Sequence, residues 1–235
     1  MVIQASRRRI IATYLITMVA GYALFIAPNL IFGIFKIAGG LTGLNLALIG
    51  LFQLAAIVLL VAFALRTLGA GFSAIGWDFT VWRSDAAIGA ALGLGWALVE
   101  MLWLIPAHGG AAEPNVARVI EGIGGSPAGL IGYLVLGVIG GGVAEEIFNR
   151  GFAINTLKAA FTNARLGLVV ASVVSVALFM LGHIPQSGLD WLTILIPTLI
   201  YTALFVATGR LSAPIAAHAV HNAVVVVIIW VRYVG

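Results

Sequence analysis

"GVIGGGVAEEIFNRGF", Gly137 to Phe152, reads as the middle of a membrane-spanning helix into which two glutamates and an arginine have been set. The apolar run begins near Ala128 and continues past these charges toward Phe161. An ionised side chain near the bilayer centre costs about 2.5–3.5 kcal/mol on insertion scales. Glu145, Glu146 and Arg150 therefore call for other helices to enclose them, and the rest of the chain must supply those helices.

It has the composition to do so. Of 235 residues, 62% are hydrophobic and only 9% are charged, with a mean hydropathy of +1.15. A soluble domain carries roughly a quarter charged residues, so this is an integral membrane protein. Runs long enough to span, about 20 residues each, fall near 10–32, 41–65, 86–105, 128–144, 166–182, 191–206 and 214–231. The expected fold is an all-α, polytopic transmembrane helical bundle of about seven spans around a membrane-embedded polar cavity. Pro28 is expected to break the first span near Ala27, with "KIAGG" as the following turn. The longest polar connection, Ala107 to Pro127, reads as a loop with a short interfacial helix around Val116 to Ile120. Trp77, Trp82 and Arg83 read as interfacial anchors. Neither a repeat nor a low-complexity tract is visible. Residues 1–126 are assigned to N-terminal helices and the outer loop, and 127–235 to core helices, within one integral domain.

There is no cysteine, which excludes disulfides, thiolate catalysis, and palmitoylation or prenylation of this chain itself. The pI near 9.9 does not point to nucleic acid, because "SRRR" is the only basic cluster and the other cations stand singly at the ends of apolar runs. A multi-pass protein of the cell membrane uses cations this way to set its orientation. Nine of the twelve basic residues, Arg150 among them, lie on the N-terminal side against Lys36, Arg118 and Arg232 on the other. The N-terminus is therefore expected in the cytoplasm, with the EE…R stretch toward the same side. The alanine and glycine content points to a prokaryote.

Helical geometry divides the charges. Glu146 and Arg150 are four apart and share a face, whereas Glu145 is rotated by about 100° and is free to point elsewhere. The pair is either a packing device or the support of a site. In "LFMLGHIP", His183 ends an apolar helix one turn after Phe179. In "SAPIAAHAVHNAVVVV", His218 and Asn222 share a face, and His221, turned about 80° from their midpoint, reads as an interhelical hydrogen-bonding residue. Three helices thus contribute the groups hydrolysis needs. A glutamate activates water, a histidine orients it, and a His–Asn pair donates to an oxyanion. Glu100, in "WALVEMLW", has three open partners: Arg150, a histidine or cavity water.

In this order and spacing, "EEIFNR", "FMLGH" and "HAVHN" fit E-E-x-x-x-R, F-x-x-x-H and H-x-x-x-N, and the chain resembles the CPBP intramembrane proteases. That group includes the CAAX prenyl endopeptidases and bacteriocin self-immunity relatives. The resemblance covers about Leu130 to Ile228. It implies an endopeptidase with Glu145 as general base and His183 completing the water site. His218 and Asn222 would hold the oxyanion, Glu146 and Arg150 would support that geometry, and Phe179 would line the site. It also implies a cavity open to the cytoplasm, although a simple span count leaves His183 at the outer end of its helix. The expected partners are the lipid bilayer and a peptide or membrane-protein substrate, lipidated or not, and not nucleic acid. Older descriptions of the family presumed a metal, and Glu145 with two histidines is a conceivable zinc set. Asn222 suits an oxyanion better, so no cofactor is expected. A G-x-S-G element, H-E-x-x-H and paired intramembrane aspartates, the marks of other intramembrane proteases, are missing. The rivals are a proton-coupled transporter, which would predict internal repeats, and a non-catalytic immunity or scaffold protein.

Overall fold

The computed structural model of the protein describes residues 3–235. Among the described residues seven helices are long and apolar enough to cross a membrane, and no strand occurs. They are α1 (Arg7–Phe35), α2 (Asn45–Thr67), α3 (Trp82–Ala107), α5 (Pro127–Lys158), α6 (Ala164–His183), α7 (Gly188–Thr208) and α8 (Ser212–Val234). The short helix α4 (Pro114–Ile123) lies in the long connection before α5. It is capped by Glu113, whose carboxylate accepts from the backbone N–H of Asn115 and Val116 at 2.9 Å each.

The distribution of side chains is that of a protein dissolved in lipid. Ile16, Val19, Leu59, Phe63 and Val173 face outward, while Glu146, Arg150, Ser175 and Thr198 are buried. In hydrocarbon an unpaired polar group is costly, so such groups turn inward to find partners. The helix ends form two layers. At the N-terminal end, Arg210 holds Asp85 through two bonds of 2.7 and 2.8 Å, and Leu211 donates to the Gly76 carbonyl at 2.9 Å. At the far end, Gly43 donates to Gly122 at 3.1 Å and the Asn115 amide donates to Asp190 at 2.5 Å.

Helix α8 packs against α3, α5 and α7, and α5 also against α2 and α6. The α3–α8 contact is close because Gly89 and Gly93 face backbone: a Cβ on either would run into the carbonyls of Ala213 and Ala217. Small residues permit such approach where no hydrophobic force drives helices together.

The expected break in the first span does not occur, and α1 continues through Pro28 to Phe35. The Phe25 carbonyl beside the proline accepts from the Asn29 amide at 2.8 Å and from Gln53 of α2 at 3.1 Å. Side chains of its own helix and of a neighbouring one thus bond backbone on the turn before the transmembrane proline, where such helices tolerate it. "KIAGG" is the expected turn, with Lys36 left-handed at φ 49°.

Candidate active site

Ser126 starts α5 by accepting from the Gly129 N–H at 3.1 Å. From Leu136 to Ile154 the helix is wound with i→i+5 hydrogen bonds, a rare winding that recurs at functional sites. Its spacing still sets residues four apart on one face. Arg150 donates to Glu146 at 3.0 Å with both side chains wholly buried. Arg150 also reaches the Thr198 carbonyl at 3.4 Å, and its guanidinium lies 4.4 Å from the Phe179 ring centroid and 5.6 Å from that of Tyr201.

The other partner of Glu146 is His218, whose Nδ1 lies 2.8 Å from the same oxygen. A carboxylate accepts, so that nitrogen donates and Nε2 is turned elsewhere. Glycine marks where it points. A Cβ on Gly141 would lie 2.6 Å from Asn222 Nδ2 and 3.5 Å from His218 Nε2. The two nitrogens therefore converge on bare backbone one turn before Glu145. The Asn222 amide is anchored through one hydrogen to the Gly137 carbonyl at 2.9 Å, which leaves its second hydrogen free.

Glu145 is set apart from its neighbour. Its carboxylate makes no hydrogen bond within the protein, and Oε2 is buried. It borders a cavity of about 430 Å³ together with His183, Asn222, Gly141, Gln53 and Tyr133. A smaller crevice of about 60 Å³ between α1 and α6 also reaches Glu145 and His183, past Tyr22 and Phe179. His183 Nδ1 lies 2.9 Å from the Phe179 carbonyl. A carbonyl only accepts, so Nδ1 carries hydrogen there and Nε2 is the nitrogen left for the cavity. The His183 ring packs on Phe179 with centroids 4.4 Å apart.

Glu145, His183 and Asn222 thus share one cavity, and His218 Nε2 reaches its wall beside Gly141. One sequence expectation needs correction here. Arg150 does not mark the N-terminal face, because it is buried inside the bundle. Helix α5 has 32 residues and α6 has 20, and Glu145, inside the longer helix, meets His183, the last residue of the shorter one, across the cavity they share.

The sequence left Glu100 without an assigned partner and overlooked Tyr201. His221 Nε2 lies 2.8 Å from Glu100 Oε2, and its Nδ1 lies 3.0 Å from the Tyr201 hydroxyl. Tyr201 stacks on His218 with centroids 4.5 Å apart at 19°. Glu100 therefore fixes His221, His221 fixes Tyr201, and Tyr201 forms the floor under His218. A buried ionisable residue in the middle of an apolar run is the signal for Glu100; a tyrosine 20 residues from its partner gives none.

The family model described as type II CAAX prenyl endopeptidase Rce1-like matches residues 127–224. Over that stretch the chain is Rce1-like. The segment takes in all three motifs and matches the CPBP/CAAX protease family. It supports a membrane-embedded protease of CAAX type in general, acting on peptide. No curated protein and no solved structure matches the chain. Among the described residues no three His, Cys, Asp or Glu side chains are grouped to hold an ion, and Glu146 and His218 are already bound to each other.

Proposed function

We propose that the protein is an intramembrane endopeptidase that hydrolyses a peptide bond with water activated by Glu145. The observation that carries this reading is the Glu145 carboxylate, bordering a cavity with neither oxygen hydrogen-bonded within the protein, beside a second glutamate whose Oε1 is held by both Arg150 and His218. A carboxylate without a protein partner is available to water, and a carboxylate within reach of water can take its proton.

In the proposed step, water lies between Glu145 and His183 Nε2. Glu145 takes one proton, and the hydroxide oxygen bonds to the scissile carbonyl carbon. The carbonyl π electrons move to oxygen, which accepts from the free N–H of Asn222 and from His218 Nε2–H. For that donation both His218 nitrogens carry hydrogen, with Glu146 as counter-ion. Collapse breaks the C–N bond, Glu145 returns its proton to the leaving nitrogen, and a carboxylic acid and an amine result. Arg150, Phe179 and Tyr201 hold Glu146 and His218 in place. Donors fixed before the reaction act strongly in a water-poor site.

The test is proteomic. Membranes from cells carrying the active chain and from cells carrying Glu145→Gln are compared for peptide fragments that depend on it. Removal of a general base is expected to slow cleavage about 10²–10⁴-fold, with elution profile and thermal midpoint unchanged. If Glu145→Gln folds and cleaves as before, the mechanism is wrong, and a scaffold role takes its place.

A further inference from the structure

A single hydrogen bond does not fix the plane of a ring. His218 Nδ1 is held by Glu146 at 2.8 Å, and about that contact the imidazole could still turn its Nε2 away from the cavity wall at Gly141. Its aromatic neighbours prevent this. Phe179 of α6 meets the ring edge-on at 6.2 Å, and Tyr201 of α7 lies against one face, 4.5 Å away at 19°. Tyr201 is held in turn at its far end, where the hydroxyl lies 3.0 Å from His221 Nδ1. His221 follows His218 by one turn on α8, so one tyrosine stacks on the first histidine and bonds the second.

The acceptors decide where the hydrogens lie. Glu100 Oε2 accepts from His221 Nε2–H at 2.8 Å. With the hydrogen on that nitrogen, Nδ1 accepts from the Tyr201 O–H. The contacts therefore run in series, from α3 through α8 to α7 and back onto the face of His218, and all four side chains are buried. Packing alone gives no reason for Glu100. Gly89 and Gly93 already bring α3 against α8, and a carboxylate inside a span is costly. Glu100 meets a histidine rather than an arginine or lysine. It also borders a crevice of about 60 Å³ with Glu113, Asn115 and Thr193, room for water at its remaining acceptor sites. At Glu100 helix α3 changes to i→i+5 winding, through Leu104, as α5 does around Glu145. Such winding recurs at functional sites.

We infer that Glu100, His221 and Tyr201 are positioning residues for His218, holding its ring so that Nε2–H points at the oxyanion. None of the three lines the cavity, so they act through His218 and not on the substrate. The effect on the reaction rests on the endopeptidase reading above, whereas the coupling of Glu100 to His218 does not. In the proposed step His218 carries hydrogen on both nitrogens, and its positive ring then lies on the Tyr201 face, a favourable cation–π arrangement. The Arg150 guanidinium stands 5.6 Å from the same tyrosine ring. The oxyanion exists only once the water oxygen has bonded to carbon. Losing the relay therefore falls on kcat rather than on substrate binding.

The chain has four histidines, so the ring signals of protein labelled with nitrogen-15 histidine can each be assigned by substitution. Glu100→Leu and Tyr201→Phe are expected to move the signals of His218 as well as those of His221, although Glu100 bonds His221 alone of the two. His218 signals unmoved in either folded variant would overturn the relay. Cleavage is read on a fluorogenic peptide spanning a cut site mapped from the Glu145-dependent fragments. Each single variant is expected to lower kcat about 10–100-fold, the scale of a displaced catalytic group, with KM little changed. The double variant is expected to lose no more than the worse single one, since the two act in series. In a His218→Ala background neither change is expected to slow the residual reaction further. Equal fold losses with and without His218, or a loss confined to KM, would overturn the positioning role. Glu100→Gln, whose carbonyl still accepts from His221, is expected to recover most of the rate lost in Glu100→Leu, and a glutamine variant as slow as the leucine one would overturn the hydrogen-bonded chain. If wild type and Glu145→Gln release the same fragments, the protease reading fails, and the His218 signals still decide the coupling.

Discussion

Glu145 and Glu146 are neighbours in the chain and differ in the partners the fold gives them. Glu146 has no exposure and is held by Arg150 at 3.0 Å and His218 at 2.8 Å. Glu145 has water space and no partner. A change at Glu146 therefore acts on the fold as well as the chemistry. Glu146→Ala leaves a buried guanidinium uncompensated and is expected to destabilise the protein by about 3–5 kcal/mol. The check is a drop in thermal midpoint in detergent, with Glu145→Ala measured beside it and expected to stay near wild type. Equal midpoints for the two variants would show that the Glu146–Arg150 pair is not structural. The i,i+4 pairing was legible in the sequence because helix geometry alone sets it. The His218–Glu146 bond was not, because 72 residues separate the partners and only packing brings α8 against α5.

At the scale of the element, the contact between α3 and α8 depends on two glycines that leave no room for a side chain. Gly93→Leu would force its Cβ into the Ala217 carbonyl and push α3 away. Overpacking of this kind costs about 1–3 kcal/mol. The same shift pulls Glu100 from His221, since both ends of that 2.8 Å bond ride on these helices. The expected outcome is a lower thermal midpoint together with reduced cleavage. A surface control such as Gly95→Leu, at a position with open space around it, is expected to change neither. Helix α1 shows the limit of reading elements one at a time. Pro28 is a break signal in isolation, yet α1 continues through it, and Gln53 of another helix bonds the Phe25 carbonyl on the turn before it.

Across the whole molecule, polar groups at the far layer tie the rim of the cavity to the bundle. Asn115 links α4 to the start of α7 through Asp190, and Asp190 also completes a capping box with Ser187. Asn115→Ala removes a hydrogen bond to a carboxylate, and α4 is expected to open more often. Hydrogen exchange over 114–123 should quicken about tenfold, the scale of one such bond, while the spanning helices exchange as before. An unchanged rate over α4 would show that the rim is held by its apolar contacts, among them Val116 and Ile123. Orientation also belongs to this scale. The sequence placed Arg150 with the cytoplasmic cations, and the bundle moves it. Arg150 goes into the interior, and Glu145 borders a cavity that reaches Val119 of α4 and Tyr133 in the far layer.

The sequence by itself determined that the chain crosses a membrane about seven times, because hydrocarbon thickness fixes the length of an apolar run. It also determined which face Glu146 shares with Arg150, and that three motifs on separate spans carry the polar groups. Only the tertiary structure decided which of those groups stay free. Whether a carboxylate is spent on a neighbour or left for water depends on what other helices bring within 3 Å, and that follows from helix length, tilt and close approach at glycine. By that route Glu145 and His183 come to border one cavity, and Glu100 meets His221 across 121 residues.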